Sequence, residues 1–173
     1  DDVILTIENS VARMTGLMEQ MRSGLRGSQP TNVDIASLLN QVISSHSSQL
    51  PVPKLEVCEQ VPGVFADYEQ LSTVFSHIIQ NAQEATKNTG QVIVRLFEKA
   101  GQIIIEVEDK GCGMDATFIK NRLFNPFDST KGLTGMGIGA FESREFIRSL
   151  GGDIGVKSTP GSGSLFCIAI PCP

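Results

Sequence analysis

Apolar residues Ile4, Ile7, Val11, Met14, Met18, Met21 and Leu25 recur at alternating intervals of three and four, which places them on one seam of a long helix. A seam sustained over three heptads suits packing against another helix, so a dimerising helix is expected over residues 1–27. An amphipathic helix folded back on its own domain is the alternative. Gly24, Gly27, Ser28 and Pro30 break the pattern and mark a linker over 28–33. Ile35, Leu38, Leu39, Val42 and Ile43 then form a stripe that predicts a core-facing helix over about 34–47. Residues Lys54 to Glu59 read as a strand, and Asp67 caps a long helix bearing Leu71, Val74, Phe75, Ile78, Ile79 and Ala82. The runs Gln91–Glu98 and Gln102–Glu108 are separated by Lys99-Ala100-Gly101, the spacing of a hairpin. Ile103-Ile104-Ile105 is apolar on both faces, as in a central strand, and that strand delivers Asp109 to the sheet edge. A helix over about Ile138–Leu150, a strand Asp153–Lys157, a turn at Pro160-Gly161 and a strand Ser164–Ile170 follow. The expected fold class is α+β, a two-layer α/β sandwich over 34–173 preceded by one long helix.

Composition narrows the chemistry. The 173 residues, 40% hydrophobic and 19% charged, suffice for one main core with an appendage. A net charge of −5 argues against nucleic acid as a partner. An anionic chain that binds a triphosphate needs a divalent cation to offset the charge. Cys58, Cys112, Cys167 and Cys172 contain no Cys-x-x-Cys pair, which favours a reduced cytoplasmic setting without a zinc site. No apolar run is long enough to cross a bilayer and no signal-peptide pattern opens the chain, so no membrane contact is expected of it. A chain beginning at Asp1 without methionine is expected to be a piece of a longer protein.

The chemistry-bearing positions lie in three places. His77, Asn81 and Glu84 are spaced i, i+4, i+7 and share a helix face opposite the apolar stripe. Asn81 offers a neutral carbonyl oxygen for Mg²⁺ and an amide for a phosphate oxygen. Asp109-Lys110-Gly111-Cys112-Gly113 ends the central strand; its carboxylate suits the exocyclic amine of adenine, and its glycines let the loop approach a ring, although a plain turn uses the same residues. Gly135-Met136-Gly137-Ile138-Gly139 directly precedes a helix, where backbone N–H groups and the helix dipole favour phosphate. His46, among serines at a helix end, reads as a solvated residue.

In order, His77-Ile78-Ile79-Gln80-Asn81-Ala82, Asp109-x-Gly111-x-Gly113, Phe124-x-Pro126-Phe127, Gly135-x-Gly137-x-Gly139, and Gly151-Gly152 with Ser158-x-Pro160-Gly161-x-Gly163 resemble the catalytic ATP-binding domain of two-component sensor histidine kinases. They match that family's N, G1, F and G2 boxes and its closing strand motif over about residues 31–171. The resemblance implies the Bergerat fold of the GHKL group shared with gyrase, Hsp90 and MutL, with ATP and Mg²⁺ as cofactors. It implies that Asn81 holds Mg²⁺ and that Asp109, Gly111, Gly113 and Met114 form the base pocket, with Ser164 nearby. Phe124 and Phe127 would anchor an ATP lid, Lys131 would touch the terminal phosphates, and Gly135, Met136, Gly137, Ile138 and Gly139 would face them. Asn81 and Lys131 are the implied catalytic residues, with His77 and Glu84 lining the phosphate end. Residues 2–27 look like the second helix of the dimerisation and phosphoacceptor bundle; the first helix, which carries the acceptor histidine, is absent. A finer resemblance, carried by Phe127-Asp128-Ser129-Thr130-Lys131 and Glu142-Ser143-Arg144, is to the kinase of the PEP-CTERM and exosortase system.

The implied activity is transfer of the γ-phosphoryl group of ATP to a histidine on that upstream helix. The implied partners are a response regulator and a second copy in the full-length protein, which would be attached to the inner membrane. Two departures bear on this. His77 stands where hydrolysing relatives carry Glu, and neutral imidazole is a poor substitute for that base, so strong hydrolysis is not expected. Glu84 replaces a common lysine and shifts weight onto Mg²⁺ and Lys131. The alternatives are a clamp ATPase of the GHKL type and a nucleotide-gated binding module or serine kinase of the anti-sigma type.

Overall fold

A computed structural model describes residues 4, 7, 10–12, 14–16, 28–126 and 139–173. Met18, Met21 and Leu25 of the heptad seam, and Phe127, Lys131, Gly135, Met136, Gly137 and Ile138 of the implied site, lie outside the described residues. Where the first segment is described it is helical, and the seam residues Ile4, Ile7, Val11 and Met14 are each more than half exposed.

The order of elements is β1 (Thr31–Val33), α1 (Ile35–Ser45), β2 (Lys54–Val57), β3 (Val64–Ala66), α2 (Tyr68–Ala85), β4 (Val92–Lys99), β5 (Gln102–Asp109), α3 (Ala116–Asn121), α4 (Gly139–Ser149), β6 (Asp153–Thr159) and β7 (Gly163–Pro171). Five strands form a mixed sheet in the order β2-β4-β5-β7-β6, in which only β2 and β4 run parallel. Strand β5 sits in the middle, as its unbroken Ile103-Ile104-Ile105 predicts. Inward residues Val92, Val94, Leu96, Ile103, Ile105, Val107, Ile168 and Ile170 meet the apolar stripes of α1, α2 and α4 in one core. The alternation of strand side chains places these on the helix-bearing face of the sheet.

Aspartates start the helices. Asp34, Asp67 and Asp115 each accept the N–H three residues on, from Ser37, Gln70 and Phe118, at 3.1, 3.0 and 2.8 Å; each carboxylate thereby satisfies an amide that has no partner within its helix. Ser28 also donates to Asp67 at 2.9 Å, tying the linker to the start of α2.

The expected α+β sandwich is present, with three differences. The 28–33 linker contains β1, which pairs with β3 in a separate two-stranded sheet; three-residue strands are too short to show a period. Helix α3 follows the glycine loop, over residues to which the sequence pattern assigns no element. His46 is not simply solvated: it is half-buried at the end of α1, with Nε2 2.7 Å from the Ser76 hydroxyl on α2. That partner lies 30 residues away and could not be read from local context. Beside it, buried Gln83 donates from Nε2 to the carbonyls of His46, Gln49 and Pro51 at 3.1, 2.9 and 3.1 Å, closing the 46–51 loop over the helix.

Candidate functional site

One edge of α2 organises the site. At its C-terminal end, the Ala85 carbonyl accepts the Cys112 N–H at 3.1 Å, and a Cβ on Gly111 would stand 2.4 Å from the same oxygen. The glycine loop therefore docks on the last turn of the helix because residue 111 has no side chain. One turn back is Asn81, and one further is His77. A Cβ on Gly139, the first residue of α4, would stand 2.2 Å from the His77 ring. Helix rise places Ala85 and His77 about 12 Å apart, so the Asp109 loop and the start of α4 flank Asn81 from opposite ends.

At the loop end, Asp109 is 3% exposed. Its Oδ1 accepts the N–H groups of Gly111 at 2.8 Å and Ser164 at 3.3 Å. Burial pushes its carboxyl above the ordinary aspartate value, and these two N–H donors work against that rise. The register pairs Asp109 with Ser164 across β5 and β7, which is why two residues 55 apart in sequence share one spot.

The loop is also tied to the β6–β7 hairpin. Ser158 Oγ donates to the Gly163 carbonyl at 2.9 Å and accepts the Met114 N–H at 2.8 Å, and the Ser164 hydroxyl lies 2.8 Å away. With its one proton given to Gly163, Ser158 receives the proton of Ser164. Gly161 N–H donates to the Cys112 carbonyl at 2.7 Å. Gly113, at φ +69°, has no room for a Cβ beside the Thr159 carbonyl. Ser158 was not singled out from the sequence, although it stands in the closing motif; its role depends on contacts 44 residues away.

At the other end, His77 Nε2 and Asn81 Nδ2 are 2.9 Å apart. The amide nitrogen can only donate, so the imidazole accepts at Nε2 and carries its proton on Nδ1. One Asn81 N–H is thus directed at His77, and the carbonyl oxygen is the acceptor of that side chain. Glu84 is exposed and accepts from Gln80 Nε2 at 2.9 Å. Phe124 is half-buried against the core, with the Arg144 guanidinium carbon 4.4 Å from its ring centre.

The structure thus brings together His77 and Gly139 at one end of the α2 edge and Asp109, Gly111, Gly113, Met114 and Ser164 at the other, with Asn81 between them in contact with His77. Phe124 instead meets α4 through Arg144. Among the described residues no cluster of three or more His, Cys, Asp or Glu could hold a metal, and no helix is long and apolar enough to cross a membrane.

Residues 66–173 match the family model described as histidine kinase-, DNA gyrase B- and HSP90-like ATPase. The signal transduction histidine-protein kinase AtoS of Escherichia coli (strain K12) is 33% identical over 67% of the chain, which covers 19% of that protein. The alginate biosynthesis sensor protein KinB of Pseudomonas aeruginosa is 26% identical over 98% of the chain, which covers 30% of that protein. The chain therefore spans less than a third of the length of either relative. Full-length ShkA, crystallised in complex with AMPPNP, superposes with a TM-score of 0.73 at 25% identity, over 83% of this chain and 31% of its own.

Proposed function

This chain belongs to the histidine kinase-, DNA gyrase B- and HSP90-like ATPases, and from that premise we propose that it binds Mg·ATP along the polar edge of α2 and donates the γ-phosphoryl group to a histidine elsewhere in its parent protein. Its domain is that of the sensor histidine kinases of two-component signalling. The observation that carries the proposal is the order along α2, with a buried carboxylate and glycine loop at Ala85, Asn81 in the middle, and a helix N-terminus at His77. The span of about 12 Å suits a nucleoside triphosphate laid along the helix, base at one end and terminal phosphate at the other.

In this reading Asp109 accepts the adenine amine, and the Ser158–Ser164 pair fixes the wall beside it. Asn81 presents its carbonyl oxygen to Mg²⁺, and the start of α4 offers N–H groups and a positive dipole end to the phosphates. The residues fit that cation. Mg²⁺ commonly takes few protein oxygens and completes its shell with phosphate and water, and bound there it would neutralise charge developing on the transferred group. Phe127, Lys131 and the glycines from Gly135 to Gly137 complete the site on this reading.

The acceptor histidine on this reading belongs to another part of the parent protein. His46 ends α1 against Ser76, and His77 is held between Asn81 and Gly139, contacts that support giving neither the acceptor role. The engagement of His77 also favours a kinase over a clamp ATPase, since it is not poised to activate water. Residues 1–27 are proposed as the second helix of a dimerising bundle, a reading supported by the exposed Ile4, Ile7, Val11 and Met14. A response regulator would then receive the phosphoryl group.

The test is a longer form of the protein reaching upstream of Asp1, incubated with Mg²⁺ and γ-labelled ATP. Acid-labile, alkali-stable label that disappears in Asn81→Asp supports the reading. ATP bound without transfer of label overturns it and brings forward a clamp ATPase or a nucleotide-gated binding module, which steady-state hydrolysis separates.

A further inference from the structure

Arg144 lies outside both ends of the nucleotide site, yet it joins three elements. On α4, its Nε and one terminal nitrogen donate to the two oxygens of Asp153 at 2.8 and 3.3 Å, while its guanidinium carbon stands 4.4 Å from the centre of the Phe124 ring. Asp153 opens β6 and is itself fixed, accepting from its neighbour Ile154 N–H at 2.8 Å and from Arg148 Nε at 3.2 Å. We propose that Arg144 is a positioning residue for nucleotide binding: with its plane set by Asp153, it holds Phe124, and with it the segment after α3, against the helix whose first residue packs on His77.

The side-chain chemistry is specific to arginine. Only a planar fork can give two N–H groups to a carboxylate and lay a face toward an aromatic ring. A lysine keeps the charge but, as a compact ammonium, cannot do both. The Arg144 side chain is 28% exposed and Asp153 51% exposed, so the pair is a surface latch and not a core support; its loss leaves the main core intact. In the segment it holds, Arg122 and Leu123 N–H donate to the Phe118 carbonyl, Asn125 N–H donates to that of Arg122, the Asn125 side chain donates to the Asn121 carbonyl, and the Arg122 guanidinium lies over the Phe118 ring. A ring pinned at Phe124 from α4 couples that segment to the start of α4, which the function proposed above assigns to the phosphates.

The test compares the parent chain with Arg144→Lys, Phe124→Leu and the double variant. Hydrogen exchange reads the latch directly: in R144K the amides of Arg122, Leu123 and Asn125 are expected to exchange several-fold faster, while those of β5 and β7 keep their protection. Mg·ATP affinity is expected to fall roughly three- to tenfold in R144K, with adenosine affected less, and R144K is expected to add nothing in the F124L background. Unchanged exchange at 122–125 overturns the proposal, as does an additive double variant. The affinity arm rests on the nucleotide reading and the exchange arm does not. A parent chain that binds no adenine nucleotide defeats that reading while exchange still decides whether Arg144 holds Phe124; faster exchange with unchanged Mg·ATP affinity refutes a role in binding.

Discussion

Asp109→Asn separates base recognition from the support of the loop. In the native site Oδ1 accepts from Gly111 and Ser164, and an amide oxygen can keep both bonds. The second oxygen becomes an NH₂ group, which faces a base amine donor to donor. A hydrogen bond to a charged acceptor contributes about 1.5–3 kcal/mol, so the dissociation constant for Mg·ATP should rise about 10- to 150-fold, read by titration calorimetry. Stability should move the other way. Burial raises the Asp109 carboxyl above its unfolded value, so between the two values the native state holds more protons and stability falls as pH rises through that window. Above it the ionised carboxylate is a standing cost that a neutral amide lacks. The variant should therefore unfold at an equal or higher temperature at neutral pH and lose that part of the pH slope. Unchanged affinity in a folded variant would remove Asp109 from base recognition. A marked loss of stability would show that the loop depends on the charge itself.

Gly139→Ala should displace the His77 ring, because a Cβ there stands 2.2 Å from it; the His77–Asn81 bond breaks and Mg·ATP binding weakens about fivefold, the value of one hydrogen bond. In a His77→Ala background the same change should add little, and a full additive loss in calorimetry would refute the coupling. Ser158→Ala removes the acceptor of Met114 N–H and the partner of Ser164, and adenine-nucleotide affinity should fall about tenfold, at about 1–1.5 kcal/mol; intact affinity would show that the hairpin holds the loop without it. Gln83→Leu removes the side-chain donor to the carbonyls of His46, Gln49 and Pro51, of which His46 keeps the Gln49 N–H, at a cost of about 3 kcal/mol. That should lower the melting temperature by roughly 10 °C with nucleotide affinity retained, and a shift under about 2 °C would refute it.

What the sequence made legible follows from range. The stripes of α1 and α2 and the apolar run in β5 are local patterns, and the elements lie where those patterns put them, within a residue or two at the ends. The caps at Asp34 and Asp67 obey the same local rule. Strands β1 and β3 escape it, because three residues carry no periodicity and the pairing of Thr31 with Ala66 spans 35 positions. The site divides the same way. Asp109 and its glycines stand out by composition, whereas Ser158 and Arg144 appear in the sequence only as members of motifs, and their contacts, like the Ser76 partner of His46, lie on distant elements. Gly139 is the instructive case. Its motif marks it for phosphate, but the reason it must lack a side chain is a histidine 62 residues earlier.

That histidine ties the two kinds of information together. On the proposed reading, phosphoryl transfer asks for position and charge stabilisation more than for protein nucleophiles. A terminal phosphate meant for a distant side chain must also be kept from water until that side chain arrives. A general base at position 77 would work against this, since it would activate water beside the phosphate. Here the imidazole accepts from Asn81 on Nε2 and is pressed against Gly139, so the ring orients the cation's proposed ligand and packs the phosphate-side helix. On the proposed reading the same contacts that organise the site also disfavour hydrolysis, so one residue bears both on the geometry of the α2 edge and on the proposed preference for transfer over hydrolysis.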